Sequence, residues 1–309
     1  MSMKIGNFKV VSVADGDTIS IDRAPMPEIS DRTSLRLTSL DTEESHSPKE
    51  DGPVTEYAKE VGKMATKWFE EREKQVTLMT DGYKKTCDYF GRALVQVFAG
   101  NEHYQKHAIE SGWSPYFSKY GYSESYHEIL FAAQEKAIKD KLGIWSDKLK
   151  SRPQKENRPY DALLKWWDLR AKQVEKARKA KQSKPGLLVL VNGEDYKAAF
   201  AKGRKNSEGV IFGEVGRAAG GINAGSGLFV IKVSLDLPFY IYIDKNLKER
   251  EKIIHTIEND FISSRKSADR MIKPDYAFLK GEITIFERAG RPIPEIIIKS
   301  LDQISKDPL

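Results

Sequence analysis

The sequence predicts two separate α+β units: an N-terminal five-stranded β-barrel with helices packed on it, and a C-terminal α+β domain, joined by a basic helical linker. Three observations carry this. A chain of 309 residues exceeds what one core ordinarily organises. Short alternating apolar runs broken by Asp-Gly turns dominate the first hundred residues, with helical stripes between and after them. Charge is uneven: residues 1–146 carry 19 Lys and Arg against 23 Asp and Glu, whereas residues 147–185 carry 13 against 5. The predicted boundaries are therefore 1–146, 147–185 and 186–309.

Phe8–Val13 reads as a strand, Asp15-Gly16 as a tight turn, and Thr18–Ile21 as the returning strand. Leu35–Leu40 reads as an alternating strand with Leu35 and Leu37 marking a buried side and Leu40 a further candidate for it, and Asp41-Thr42-Glu43-Glu44 marks its end. Pro53 is expected to open a helix carrying Val54, Tyr57, Val61, Met64, Ala65 and Trp68. Gln75–Met79 and Arg92–Phe98 read as strands around Asp81-Gly82. A helix is expected from Asn101 as N-cap to about Ser111, with Gly112 as its stop. A last helix carries Ile129, Leu130, Ala133, Ala137, Ile138 and Leu142. Three strands, a helix, two strands and two helices suit a small OB-type barrel.

With 39% hydrophobic and 31% charged residues, the composition is that of a soluble globular protein. The longest apolar runs, such as Leu187–Val191, are strand-length, which argues against a membrane span. The N-terminus lacks an apolar signal region, so the expectation is a cytoplasmic protein. A single cysteine, Cys87, excludes an intramolecular disulfide and a multi-cysteine metal site, and no histidine is arranged to activate it.

Two acidic groups at strand ends, Asp17 and Asp41, make a hard-oxygen site suited to Ca²⁺ or Mg²⁺. Arg36 and Arg92 offer planar forks that grip a phosphate through two hydrogen bonds. Glu44 is placed to activate or orient water. Cation, clamp and base are the parts that phosphodiester hydrolysis needs. Spacing alone leaves an equal alternative open, in which Arg36 and Asp41 form an ordinary salt bridge and the Asp residues only shape turns.

The motifs V-A-D-G-D-T at 13–18, L-R-L…L-D-T-E-E at 35–44, D-Y-F-G-R-A-L at 88–94, I-E-S-G-W near 109–113 and K-L-G-I-W-S at 141–146 are collinear. Together they resemble the staphylococcal nuclease (thermonuclease-like) family over roughly the first 146 residues. The resemblance implies a Ca²⁺-dependent nuclease on an OB-type barrel, acting on DNA and RNA with little sequence preference and leaving 3′-phosphate ends. It implies Asp17 and Asp41 as metal carboxylates, with Thr42 giving a backbone carbonyl. It implies Glu44 as the carboxylate on the attacking water, and Arg36 and Arg92 as phosphate contacts. Tyr120 and Tyr116 fall where the family presents tyrosines to substrate, and Lys85 is a further candidate for substrate contact. Two departures stand out. Glu43 occupies the place of a usual proline, which frees the backbone beside Glu44 and adds a charge near the metal or phosphate. Tyr89 and Phe90 replace a lysine and a tyrosine, implying weaker terminal-phosphate contacts.

Asp147–Pro159 is charged, contains two prolines and reads as a linker. Tyr160 to about Ser183 reads as one helix, apolar at Leu163, Leu164, Trp167 and Val174, then basic from Lys172 to Lys184. It is either a docked connector or, through Arg170, Lys172, Lys176, Arg178, Lys179 and Lys181, an extension of a nucleic-acid track. Beyond Gly186, strands are expected at 187–192, 209–215, 228–235, 239–243 and 282–287, with helices near 195–202, 248–264 and 295–304. The glycine-rich segment 216–227 lacks a phosphate-loop ending and reads as a hairpin loop. This domain is expected to target, restrain or oligomerise the nuclease, or to dock a protein partner. The competing reading for the whole is a non-catalytic nucleic-acid-binding module.

Overall fold

The computed structural model describes residues 2–46, 54–82, 85–88, 90–153, 156–191, 195–217, 227–233, 237–262, 273–288 and 290–309. The chain divides into two compact units, one of Met1–Ser118 with Ser123–Leu164, the other of Lys119–Tyr122 with Lys165–Leu309.

The first unit contains β1 (Lys4–Val13), β2 (Thr18–Ile21), β3 (Ser34–Leu37), α1 (Glu56–Glu70), β4 (Gln75–Met79), β5 (Ala93–Ala99), β6 (Glu102–His103), α2 (Tyr104–Glu110), α3 (His127–Lys139) and α4 (Asp147–Lys150). Its strands run in the order β3-β2-β1-β4-β5-β6, and a parallel β3–β5 pairing, Arg36 opposite Leu94, closes five of them into a barrel. Strand β1 serves both halves, pairing β4 through its first residues and β2 through its last. A register shift between Val10 and Ser12 supplies the extra twist that this sharing requires. The interior is filled by the inward residues of each alternating strand: Ile19, Leu35, Leu37, Leu78, Val95 and Val97 are fully buried.

Helix α1 starts later than expected. Thr55 is its N-cap, the Oγ1 accepting from Ala58 N, because a hydroxyl satisfies an orphan amide that proline cannot. Pro53 lies outside the described residues. Asn101 likewise caps nothing: it sits in the turn between β5 and β6, and α2 begins at Tyr104.

The boundary between the units falls inside α5 (Tyr160–Ser183). In the first unit, Tyr160 and Leu164 pack with Ala137, Ile144 and Trp145. In the second, Val174, Ala177 and Ala180 pack on Leu187, Phe212, Tyr276 and Phe278. The basic face of α5 is largely paired. Arg170 is buried on Asp275 and Glu214, while Lys172, Lys176, Arg178 and Lys181 each meet a carboxylate. Arg170 is thus removed from any surface track.

The second unit holds β7 (Leu187–Val189), α6 (Tyr196–Gly203), β8 (Ser207–Arg217), β9 (Leu228–Lys232), β10 (Pro238–Ile243), α7 (Arg250–Phe261), β11 (Tyr276–Arg288), β12 (Arg291–Ile298) and β13 (Ile304–Ser305). Its strand order is β13-β11-β12-β10-β9-β8-β7, and the thirteen-residue β11 also pairs β8, joining five strands into a second ring. The helix expected over 295–304 is instead β12, which pairs in parallel with β10, Ile296 opposite Ile241. Its β-branched residues suit a pleated surface packed on the core. Most of the glycine-rich segment, 218–226, lies outside the described residues. Among the described residues no helix is long and apolar enough to cross a membrane.

Candidate active site

Three backbone features bring the acidic residues together. The turn after β1 returns through Ala14 N to Thr18 O at 3.0 Å, which sets Asp17 at the head of β2. Gly16 lets that turn approach the loop after β3 closely. A Cβ there would lie 2.6 Å from both Thr42 Cγ2 and Val61 Cγ1, so no larger residue fits without movement. After Arg36, Ser39 adopts a left-handed φ of 67°, turning the chain so that Asp41 returns toward the guanidinium five residues earlier.

The result is one cluster. Arg36 Nη1 donates to Asp17 Oδ1, and Arg36 Nη2 donates to Asp41 Oδ1 at 3.2 Å and to Leu40 O at 3.2 Å. Thr18 Oγ1 donates to Asp17 Oδ1 at 3.1 Å, and Thr42 N donates to Asp17 Oδ2 at 3.0 Å. Asp17 and Asp41 are 1% and 4% exposed, whereas Glu44 is half-buried at the edge. Burial opposes the charge on Arg36, but Asp17, then Asp41, Asp15 and Glu44, hold it firmly protonated. Asp15 shows the opposite pressure: burial and then the neighbouring Asp17 charge push its carboxyl up to about 7.

Four acidic groups therefore surround Arg36, all of them oxygen donors of the kind that hard divalent cations prefer. Three of the four oxygens of Asp17 and Asp41 are on arginines as they stand, two on Arg36 and one on Arg158, and the fourth accepts from Thr42 N. Among the described residues no group of three or more His, Cys, Asp and Glu side chains is arranged to hold a metal ion. The donor set, two buried carboxylates with the Thr42 segment between them, is nonetheless one that fits a hard cation sharing the site with Arg36.

The remaining sequence-predicted residues are placed differently. Arg92 stands one residue before β5, and its Nε donates to Asp88 Oδ2 at 2.7 Å beside the Phe90 ring. Lys85 pairs with Glu28 at 2.6 Å. Tyr116 presents almost no face to solvent: it is 3% exposed, and its hydroxyl accepts from Ser123 N at 2.8 Å. A ring held this way is not a platform for stacking a base. Tyr120 is exposed but belongs to the second unit. The Cys87 thiol is buried, and burial pushes its pKa up, the reverse of an activated nucleophile.

Glu43, expected to add a charge near the metal or phosphate, is instead neutralised by other partners. It is 4% exposed and accepts from Arg152 Nη1 at 2.9 Å, Arg152 Nη2 at 2.6 Å, Tyr160 Oη at 3.0 Å and Thr55 Oγ1. Burial raises its pKa, but the Arg152 and Thr55 hydrogen bonds outweigh that and hold the carboxyl below its ordinary range. Arg158 lies beside it, donating to the Asp41 carboxylate and, at 3.1 Å, to Asp41 O. Sequence reasoning missed Arg152, Arg158 and Tyr160, which fall in the stretch read as linker and helix. The only local signal was the acidic excess of Asp41–Glu44.

The first unit is thus a closed five-strand barrel carrying an Asp–Arg–Asp cluster at the ends of β2 and β3. Residues 34–147 match the family described as staphylococcal nuclease homologue, and the chain belongs to that family. It is 31% identical over 140 residues to the thermonuclease of Staphylococcus hyicus, an alignment spanning 45% of this chain and 76% of that protein. This homology supports a nuclease function.

Proposed function

We propose that this protein is a calcium-dependent nuclease that hydrolyses phosphodiester bonds of DNA and RNA with little sequence preference. The observation that carries this reading is the convergence of Asp17 and Asp41 on Arg36 at the barrel's edge. Asp17, Asp41 and the Thr42 carbonyl would hold the cation, which when bound supplies charge stabilisation at the phosphate and orients water. Arg36 grips the scissile phosphate through its planar fork, exchanging carboxylate oxygens for phosphate oxygens. Glu44 takes the proton of a water as its oxygen bonds to phosphorus. The P–O5′ bond breaks, the 5′-oxygen leaves with a proton from solvent, and a 3′-phosphate end remains. Arg92 faces the developing charge on the phosphoryl oxygens once its Nε partner Asp88 yields. The second unit targets, regulates or oligomerises the enzyme.

The test is incubation of the purified chain with plasmid DNA and with RNA, in Ca²⁺ and in chelator, with product ends assigned by phosphatase sensitivity. Cleavage of both substrates only in Ca²⁺, leaving 3′-phosphates, is expected. Cleavage that survives chelation, or products ending in 3′-hydroxyls, would refute the mechanism.

A further inference from the structure

The Asp41 side chain is fixed from two sides. Its Oδ1 accepts from Arg36, on the side shared with Asp17, and its Oδ2 accepts from Arg158 Nη2. Its main chain is fixed as well, the carbonyl accepting from Arg158 Nη1 at 3.1 Å and the amide donating to Ser114 Oγ at 2.8 Å. A guanidinium that takes the carboxylate and the carbonyl of one residue together leaves that side chain a single orientation.

Arg158 is itself over-determined. Its side chain is 3% exposed, so it is neither a solvated linker residue nor a group able to reach a phosphate in solvent. Tyr160 N donates to Arg158 O at 2.8 Å, and the Tyr160 hydroxyl then reaches Glu43, two residues from Asp41. Arg152, upstream, holds the same Glu43 through both of its terminal nitrogens. Arg152, Arg158 and Tyr160 thus grip the acidic loop at two residues, Glu43 and Asp41, although the family match ends at residue 147.

We infer that Arg158 is a positioning residue of the nuclease site, turning Asp41 so that Oδ1 faces the Asp17–Arg36 cluster, and that the functional module therefore extends through residue 160. The inference rests on the proposed calcium-dependent nuclease reading. Outer groups that orient a metal-binding carboxylate commonly govern affinity by about 10- to 100-fold. An alternative outcome is that Arg158 competes with a cation for Asp41, in which case its removal would tighten binding.

The experiment uses the full chain. Isothermal titration calorimetry with calcium chloride reads metal affinity, and steady-state cleavage of single-stranded DNA reads kcat and KM. Arg158→Ala is expected to raise the Ca²⁺ Kd about 10- to 100-fold and to lower kcat at subsaturating Ca²⁺, leaving KM for DNA unchanged. Arg158→Lys, which can reach the carboxylate or the carbonyl but not both, should fall between wild type and Ala. If Arg158→Ala loses its circular dichroism spectrum, the Lys and Gln variants carry the comparison. An unchanged or tighter Kd in folded variants overturns the inference while the wild type still binds Ca²⁺ and cuts DNA. A wild type that neither binds Ca²⁺ nor cuts DNA overturns the nuclease reading and this inference with it.

Discussion

Replacing Arg152 by alanine should destabilise the first unit by about 2–3 kcal/mol, and the figure follows from what surrounds Glu43. The Glu43 side chain is 2% exposed, and Arg152 contributes two of the hydrogen bonds to its carboxylate. Removing one partner of a buried ion pair costs about 3–5 kcal/mol, because the other charge is left without compensation. Two features lower that figure. Arg152 is 14% exposed, so water can enter where it stood, and the Tyr160 and Thr55 hydroxyls remain as donors. Glu43→Gln should cost less, since Arg152 can turn to solvent. A double-mutant cycle should return a coupling of about 1–2 kcal/mol between the two positions. Urea denaturation followed by tryptophan fluorescence measures it, and the second unit, common to all four proteins, cancels in the difference. A coupling under about 0.3 kcal/mol would show that Glu43 is not held by Arg152 in solution.

Other consequences follow from the same geometry. Gly16→Ala places a methyl 2.6 Å from Thr42 and Val61, so it should separate Asp17 from Thr42 and lower cleavage at least tenfold; a wild-type rate would refute the close approach. Arg170→Ala removes the guanidinium shared by the buried carboxylates of Asp275 and Glu214, leaving Trp166 Nε1 on the first and Lys232 on the second, and thermal unfolding should show a loss of about 3 kcal/mol; a loss under about 1 kcal/mol would refute the buried network. Burial pushes His103 down to about 4 from 6.5, with its ring stacked on Phe98 and its Nε2 on Gln96. The unfolded chain therefore takes up a proton before the folded one does. This contribution to stability is intact above pH 6.5 and lost as pH falls toward 4, by up to about 3 kcal/mol. Denaturation midpoints in His103→Gln should be correspondingly flatter over that window.

The barrel was legible because its strands alternate cleanly and their turns carry Asp-Gly or glycine, so Leu35 and Leu37 could be placed inside from pattern alone. The convergence of Asp17, Arg36 and Asp41 was foreseeable as a pattern of charges at strand ends, but spacing could not separate a salt bridge from a phosphate site. The structure holds the salt bridges, and the nuclease reading asks them to open. What could not be read was long-range. Arg158 and Asp41 are 117 residues apart, and a charged, proline-containing stretch gives no periodic signal that it will be buried. The same limit explains β12, whose short apolar run is ambiguous until its partner β10 is known. Glu43 looked like an added charge at the metal, and its neutralisation depends on Arg152, Thr55 and Tyr160 arriving from elsewhere.

The central claim, that the Asp17–Arg36–Asp41 cluster is a phosphodiester-cleaving site, is tested most directly by the rate of Ca²⁺-dependent cleavage of single-stranded DNA by Arg36→Ala beside wild type. Loss of a clamp on the developing phosphoryl charge predicts a fall in kcat of about 10²–10³ with the circular dichroism spectrum preserved. Equal rates in the two proteins would contradict it.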